Sequence, residues 1–572
     1  MINLVSFSAN LYVRYVLIFL FFLLIGRSFV IVVNKYFLKN KNIPNLILQT
    51  APGIVYPIIG LIFVGNILIF LNYFISLKSP VVWIILFLLI SPNLLMLNNL
   101  NFKLKDFLTW DNFFYYIFIP GVLLISSSDI NFHYDAAYYH LNHQNWLRET
   151  NLVIGMVNIF WPFGMSSIYE YISSIFWLSD SLIYLHFISL IFIHFFFSFT
   201  YFHIFSSRNN RLRNSAIFVT IFAFLDNFGL DGGRNGFIYI QEVGKQDIAV
   251  AILFLFASLI LLNNIFEKKI SKLDFALISL ICFFIFELKV SGVFVFFLYF
   301  ILTIKLIRNK TYSFKEIILY QLPTIIFGII WSVKSLLTTS CLIFPLSFTC
   351  LKNVSWYEAG STERIEEYTT NTSFAFMEYF KSRDLTFVDW FNDFFNSTNN
   401  NIFSNYYKTV YLNFLISAVL IFLLKQIFFN KVKVSKDFKI VSSSYILLGT
   451  LYLIFYGPIP RYSIGMLCTV IGIMGFYTSS FKVNIPKTLF FILFVFSLGL
   501  MPRLNSYNNY LNNANFSLGD PRVGLENNTI DKVGDWYKPS SGDRCWIDLN
   551  CTMEDKKIVI NQDGFFRLAY KQ

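Results

Sequence analysis

Long apolar runs separated by short polar loops recur along nearly the whole chain. The first, Tyr12 to Val33, is too long for the core of a secretory signal and lacks a small-residue cleavage site, so it reads as a spanning helix. Further runs predict helices over about Ala51–Ser76, Val81–Leu97 and Phe113–Ser126. One passage breaks the rhythm. Phe275–Phe286 and Val293–Thr303 are interrupted by Glu287, Leu288, Lys289, Val290, Ser291 and Gly292, between basic flanks at Lys272 and Lys305. At about 1.5 Å per residue each run is roughly 18 Å long, short of a hydrocarbon core of about 30 Å. The tip should therefore lie below the membrane surface, where a charge needs a partner, a cavity or water. Either Glu287 and Lys289 satisfy each other, or the tip lines a substrate cavity.

Composition agrees with this pattern. The chain is 56% hydrophobic and 14% charged with a mean hydropathy of +0.59, the profile of a polytopic membrane protein. Its net charge of +12 does not point to nucleic acid, because Lys and Arg sit mostly in short loops between apolar runs. Such loops stay in the cytoplasm. Lys35, Lys39 and Lys41 follow the first helix and put the N-terminus outside; Lys103 and Lys105, Arg208 to Arg213, Lys268 to Lys272, Lys305 to Lys315, Lys425 to Lys439 and Lys482 to Lys487 mark later inner loops. The expectation is an all-α polytopic membrane protein with about fourteen crossings and both termini outside.

Two divisions follow, a transmembrane domain over 1–502 with outer loops 128–165, 230–246 and 335–405, and an outer C-terminal tail over 503–572. Asp231–Gln246 is a Gly-rich loop leading into a helix near Asp247, and Phe374–Phe395 has amphipathic helical character. The tail is expected to form a small soluble α/β unit, ending in a β-hairpin about Asp563 and Gly564. Cys341 and Cys350 share one outer loop and Cys545 and Cys551 share the tail, which predicts two local disulfides, while Cys282 and Cys468 lie within apolar helices.

The most concentrated polar chemistry lies in the first outer segment, Ser126–Ser167, which holds Asp129, His133, Asp135, His140, His143, Arg148 and Glu149. Asp135–Glu149 reads as an amphipathic helix. Asp135 is then either an N-cap or first-turn acid, favourable to the helix dipole, or a reactive carboxylate at the outer end of a spanning helix. His133, Asp135, His140 and His143 also admit a divalent metal, although five residues from Asp135 to His140 is a poor α-helical interval. No metal or other cofactor is assigned on this basis. His186, His194 and His203 lie along one apolar helix and read as packed residues. The acidic run from Glu358 to Glu367 reads as a solvated loop face, and the N-x-S/T triplets at Asn371, Asn396, Asn527 and Asn550 as products of an Asn-rich composition.

A series of short motifs carries a resemblance. Asp135-Ala-Ala-Tyr-Tyr-His140-Leu141, Trp146, Gly155 to Asn158 and Phe163 to Ser167 are followed by Lys245 to Asp247, Leu288 to Ser291, Ser340 to Pro345 and Pro458 to Tyr462. In this order, over roughly Phe113–Phe476, they resemble a family of bacterial multi-pass proteins similar to the GT-C class of membrane glycosyltransferases. That class includes protein mannosyltransferases and lipid A aminoarabinose transferases. The resemblance implies a GT-C-like fold, a polyprenyl-phosphate-linked sugar donor and a catalytic aspartate in the first large outer loop, which maps to Asp135. The chain departs from the Asp-Glu pair of protein mannosyltransferases, since Ala136 follows Asp135.

Chemistry on that plan needs one carboxylate to deprotonate an acceptor hydroxyl, because a phosphate leaves without a general acid. Arg461 suits the departing phosphate through bidentate hydrogen bonding, or else anchors a helix end at the interface. Lys289 and Lys245 are further cations, Asp247 is a second acidic position or a helix cap, and His140 and Asn158 complete the expected substrate contacts. The function expected is transfer of a sugar from a polyprenyl-phosphate donor to a glycan, lipid or protein acceptor at the periplasmic face of a bacterial inner membrane. An O-antigen-type polymerase or ligase, and a flippase or transporter of lipid-linked sugars without chemistry, are the rivals.

Overall fold

The computed structural model describes residues 2–38, 53–94, 109–124, 135–178, 182–207, 209–227, 246–267, 270–358, 360, 362–367, 402–432, 434–455, 460–481, 485–496, 529–533, 535–539, 543–554 and 557–571. The chain is predominantly helical, and eight of its described helices are long and apolar enough to cross a membrane. Helices α1 (Ile2–Val32) and α2 (Val55–Asn72) cross closely enough that a Cβ on Gly26 would lie 1.9 Å from the Tyr56 carbonyl oxygen, and one on Gly60 2.0 Å from that of Phe22. Glycine is required at this crossing, as at close helix contacts in membranes generally.

The third and fourth sequence-predicted helices differ from expectation. The run over Val81–Leu97 forms an α-helix only over Pro80–Leu88, and Ser91-Pro92 falls in a 3₁₀ turn beyond it, because proline cannot donate to the ladder. Phe113–Ser126 divides into Trp110–Phe113, a π turn over Phe114–Phe118 and Ile119–Leu123, with Pro120 directly after the π turn.

In the outer loop, a π turn over Ala136–His140 runs into α3 (Leu141–Glu149), followed by α4 (Ile168–Ser174). The next helices are α5 (Ile183–Phe205), α6 (Asn210–Asn227), α7 (Asp247–Glu267), α8 (Lys272–Leu288), α9 (Val295–Arg308) and α10 (Leu322–Thr339). Then come α11 (Ile402–Phe428), α12 (Lys436–Phe455) and α13 (Pro460–Phe476). The spans of α5 and α7 are wholly buried, whereas α11 exposes Leu412, Leu415, Val419 and Leu423. This inversion, with apolar side chains facing outward, is that of a bundle whose outer surface meets hydrocarbon.

The segments assigned to basic inner loops meet one another. Lys487 Nζ lies 2.8 Å from Asp111 Oδ1, Arg211 pairs with Glu267, the Tyr312 hydroxyl donates to the Ile270 carbonyl at 2.7 Å, and β2 (Phe429–Lys431) pairs antiparallel with β3 (Thr478–Phe481). The segments assigned outside likewise meet one another. Strands β6 (Ile558–Asp563) and β7 (Phe566–Lys571) form the expected hairpin, with Gly564 at φ +57° in its turn. The first outer loop adds β1 (Val153–Ile154) parallel to β7, giving a sheet ordered β1-β7-β6. Trp146, Val153, Met156, Phe160 and Phe163 pack with Trp536, Ile558 and Ala569 in a core shared by loop and tail. Both sequence-predicted disulfides, Cys341–Cys350 and Cys545–Cys551, are formed, and Cys282 and Cys468 are buried thiols. The Gly-rich segment before Gln246 and the amphipathic stretch Phe374–Phe395 lie outside the described residues.

Candidate functional site

Several of the motifs scattered along the sequence meet one another. Helix α8 stops at Leu288 because Lys289 turns extended, at φ −162°, before a 3₁₀ turn over Val290–Phe294. That turn carries Lys289 to the first residue of α7, where its Nζ lies 2.5 Å from Asp247 Oδ1. The same ammonium stands 4.2 Å from the centroid of the Tyr462 ring, one residue beyond Arg461. Asp247 is thus both a first-turn acid and half of an ion pair. Glu287 does not pair with Lys289; its carboxylate accepts from Asn66 Nδ2 at 3.2 Å, so the self-satisfied tip is excluded. The Tyr462 ring that faces Lys289 also lines a small recess, together with Val250, Phe254, Ser291, Phe294 and Tyr452 among others. The Tyr452 hydroxyl donates to the Ser291 carbonyl at 3.0 Å and closes one side.

The first outer loop docks directly on this tip. Ser167 caps α4 by accepting from Tyr169 N–H, and its hydroxyl donates to the Leu288 carbonyl at 2.8 Å. In the first turn of α4, Glu170 is 2% exposed and accepts from Nδ1–H of His140 on one oxygen and of His143 on the other. Burial by itself would raise that carboxyl; the charge and hydrogen bonds of the two imidazoles outweigh it and hold it at about 2. Bonding both Nδ1 atoms to a carboxylate turns both Nε2 atoms away from it. Neither Nε2 is among the fully buried polar atoms that lack a partner, in contrast to both ring nitrogens of His203. Next to this cluster Lys334, 2% exposed, donates to the Ser166 carbonyl at 3.0 Å and lies 5.3 Å from the Trp331 ring.

Asp135 opens the π turn, half-buried, at the N-cap position; its side chain makes no capping hydrogen bond, which leaves it as an acid at the start of the turn. The π turn also changes its relation to His140. Residues five apart lie roughly 140° apart around an α-helix. In a π turn the bond from Leu141 N–H to the Ala136 carbonyl spans five residues, and side chains at that spacing share a face.

Other expected contacts fall differently. Asn158 donates through Nδ2 to the Trp356 carbonyl at 3.0 Å and the Ala569 carbonyl at 3.1 Å, so its amide clamps backbone. Nearby Gly155, at φ +70°, would put a Cβ 2.4 Å from the Ala569 carbonyl oxygen. Arg461 lies in the first turn of α13, but its side chain, like Lys245 and His133, is outside the described residues. Among the described residues no group of three or more His, Cys, Asp or Glu side chains is arranged to hold a metal ion. His194 is packed as expected, bonded to the Tyr15 hydroxyl at 3.0 Å and the Tyr115 carbonyl at 2.6 Å.

Sequence reasoning missed Glu170 and Lys334. Each is a lone charge in an apolar stretch, IYEYISS and IIWSVKSLL, and that was the available signal.

A family profile described as Domain of unknown function (DUF8201) matches residues 11–468. No curated protein and no solved structure matches the chain.

Proposed function

The chain belongs to the family of the domain of unknown function DUF8201, and from that premise we propose that it is a GT-C-like membrane glycosyltransferase using a polyprenyl-phosphate sugar donor. One observation carries the reading. Lys289, paired with Asp247 and flanked by the Tyr462 ring that lines the recess, is joined through Leu288 and Ser167 to the loop that bears Asp135. A cation beside an apolar recess is suited to the junction between a lipid's phosphate and its chain. The Asp135 carboxylate takes the proton of an acceptor hydroxyl; the oxygen bonds the anomeric carbon; the bond from that carbon to the phosphate oxygen breaks, leaving its electron pair on the lipid phosphate. Lys289, with Arg461 and Lys245 as further cations, opposes the charge that develops there.

The finer topology belongs to this proposal: about fourteen crossings in a bacterial inner membrane, with both termini and the site on the periplasmic side. The acceptor is a glycan, lipid or protein. Asp135→Asn is expected to abolish transfer from synthetic polyprenyl-phosphate sugars while the protein keeps its melting temperature; undiminished transfer would remove Asp135 from the role of base.

A second reading has its own support. Glu287 and Lys334 are ionisable side chains buried in apolar helices, as in carriers of polar cargo. Purified protein in liposomes that moves lipid-linked sugar across the bilayer without forming product would favour a flippase.

A further inference from the structure

The tail meets the first outer loop at the turn that bears Asp135. Between Cys545 and Cys551 the chain forms a short loop closed by their disulfide, and both cysteines and Trp546 are buried. Three tethers run from it. Trp546 N–H donates to the Ala137 carbonyl inside the π turn at 2.9 Å, Asn145 Nδ2 donates to the Ile547 carbonyl at 2.8 Å, and Asn142 Nδ2 donates to the Asp548 carbonyl. Trp546 itself sits at φ +52°, a region that a bulky side chain occupies only when its surroundings over-determine it. The loop is in turn fixed to β5 (Trp536–Pro539), the antiparallel partner of β4 (Thr529–Val533): Tyr537 N–H donates to the Asn550 carbonyl at 2.9 Å and Thr552 N–H to the Tyr537 carbonyl at 3.0 Å. A π turn is a local departure from the α-helical ladder, and here its carbonyl is met by a donor from a segment some four hundred residues later in the chain.

We propose that the Cys545–Cys551 loop is a positioning element of the site: its backbone holds the π turn that sets Asp135 and His140 on one face, and the disulfide holds the loop in the shape that makes this possible. The inference uses the reading of Asp135 as the base, yet the state of the turn can be measured without any transfer assay. Full-length protein in lipid nanodiscs, examined by hydrogen exchange, is the test. In Cys545→Ser/Cys551→Ser the amides of 136–149 are expected to exchange about tenfold faster, while those of α5 and α7 are unchanged. Cys341→Ser/Cys350→Ser, which removes the other disulfide, is expected to leave 136–149 as it is. Unchanged exchange at 136–149 in the first variant overturns the proposal.

Should that variant lose protection everywhere, Asn142→Ala/Asn145→Ala, which cuts two tethers and keeps the bond, decides by the same readout. In the transfer assay, loosening the turn is expected to lower kcat roughly a hundredfold with KM little changed. Faster exchange without that loss, in a protein whose Asp135→Asn variant is inactive, also overturns the positioning role. Transfer that survives Asp135→Asn instead overturns the base assignment and leaves the exchange result standing.

Discussion

Two centres of opposite character are linked by the hydrogen bond from Ser167 to the Leu288 carbonyl. In one, Glu170 is enclosed by His140 and His143 with Lys334 nearby; in the other, Lys289 meets Asp247 beside the Tyr462 ring. Both combine a carboxylate with basic groups. Their surroundings differ: the Glu170 and His143 side chains are 3% and 1% exposed, whereas that of Lys289 is 22% exposed and lies against the Tyr462 ring, which itself lines the recess. A carboxylate sealed in with its partners is committed to structure, since any loss leaves a buried group unsatisfied. A cation at an opening can exchange part of its pairing for a ligand's charge. The closed centre therefore holds α3 on α4, and the open centre is the one that the proposed function uses for substrate.

The largest effect that would sharpen this contrast is on the closed centre. Glu170→Gln replaces an acceptor-only carboxylate by an amide facing two donors and is expected to cost about 3 kcal/mol in unfolding free energy, measured by thermal denaturation in detergent. The same contact gives a pH dependence. The Glu170 carboxyl is depressed to about 2 in the folded protein, below the usual value of about 4.3. Its contribution is therefore present above the unfolded value and is lost as pH falls from about 4.3 towards about 2. The wild type should lose stability over that window, and Glu170→Gln should not show that component.

A smaller effect is expected at the open centre. Lys289→Gln/Asp247→Asn neutralises both partners, so stability should change by about 1 kcal/mol or less, while KM for a polyprenyl-phosphate donor rises about tenfold. A melting temperature that falls as far as in Glu170→Gln, with KM unchanged, would erase the distinction between the centres. The smallest effect belongs to the surface pair of Lys78 and Glu149 at 2.9 Å, where Lys78 is 58% exposed. Lys78→Ala should change stability by no more than about 0.5 kcal/mol, and a larger loss would show that the outer turn of α2 is held by charge.

Much of the site was legible as an ordered series of islands, and for identifiable reasons. Lys289 stood out because it interrupts an apolar passage, with short flanks about Glu287 to Gly292, and Asp247 through the ordered motifs of the resemblance and its place at a helix start. Local pairs followed from local spacing: both disulfides join cysteines within ten residues of each other, and the hairpin turns at Gly564. Glu170 was hidden because a single acid in a short apolar helix has no periodic signature. Asn158 was assigned to substrate because its type and loop suited that task, and only packing revealed the two carbonyls it serves. The poor interval between Asp135 and His140 was an inference from α-helical geometry that the π turn does not obey.

By itself the sequence determined the membrane character of the chain and where its long apolar helices run, because hydropathy acts locally, segment by segment. It also determined which charges had to find partners. Which partners they found was decided by the tertiary structure: Lys289 with Asp247 rather than Glu287, Glu170 with two histidines, and a distant disulfide loop against the turn of Asp135. The physical reason is that hydrogen bonds and ion pairs are settled within about 3 Å, and distances of that order between remote segments exist only once the helices have packed.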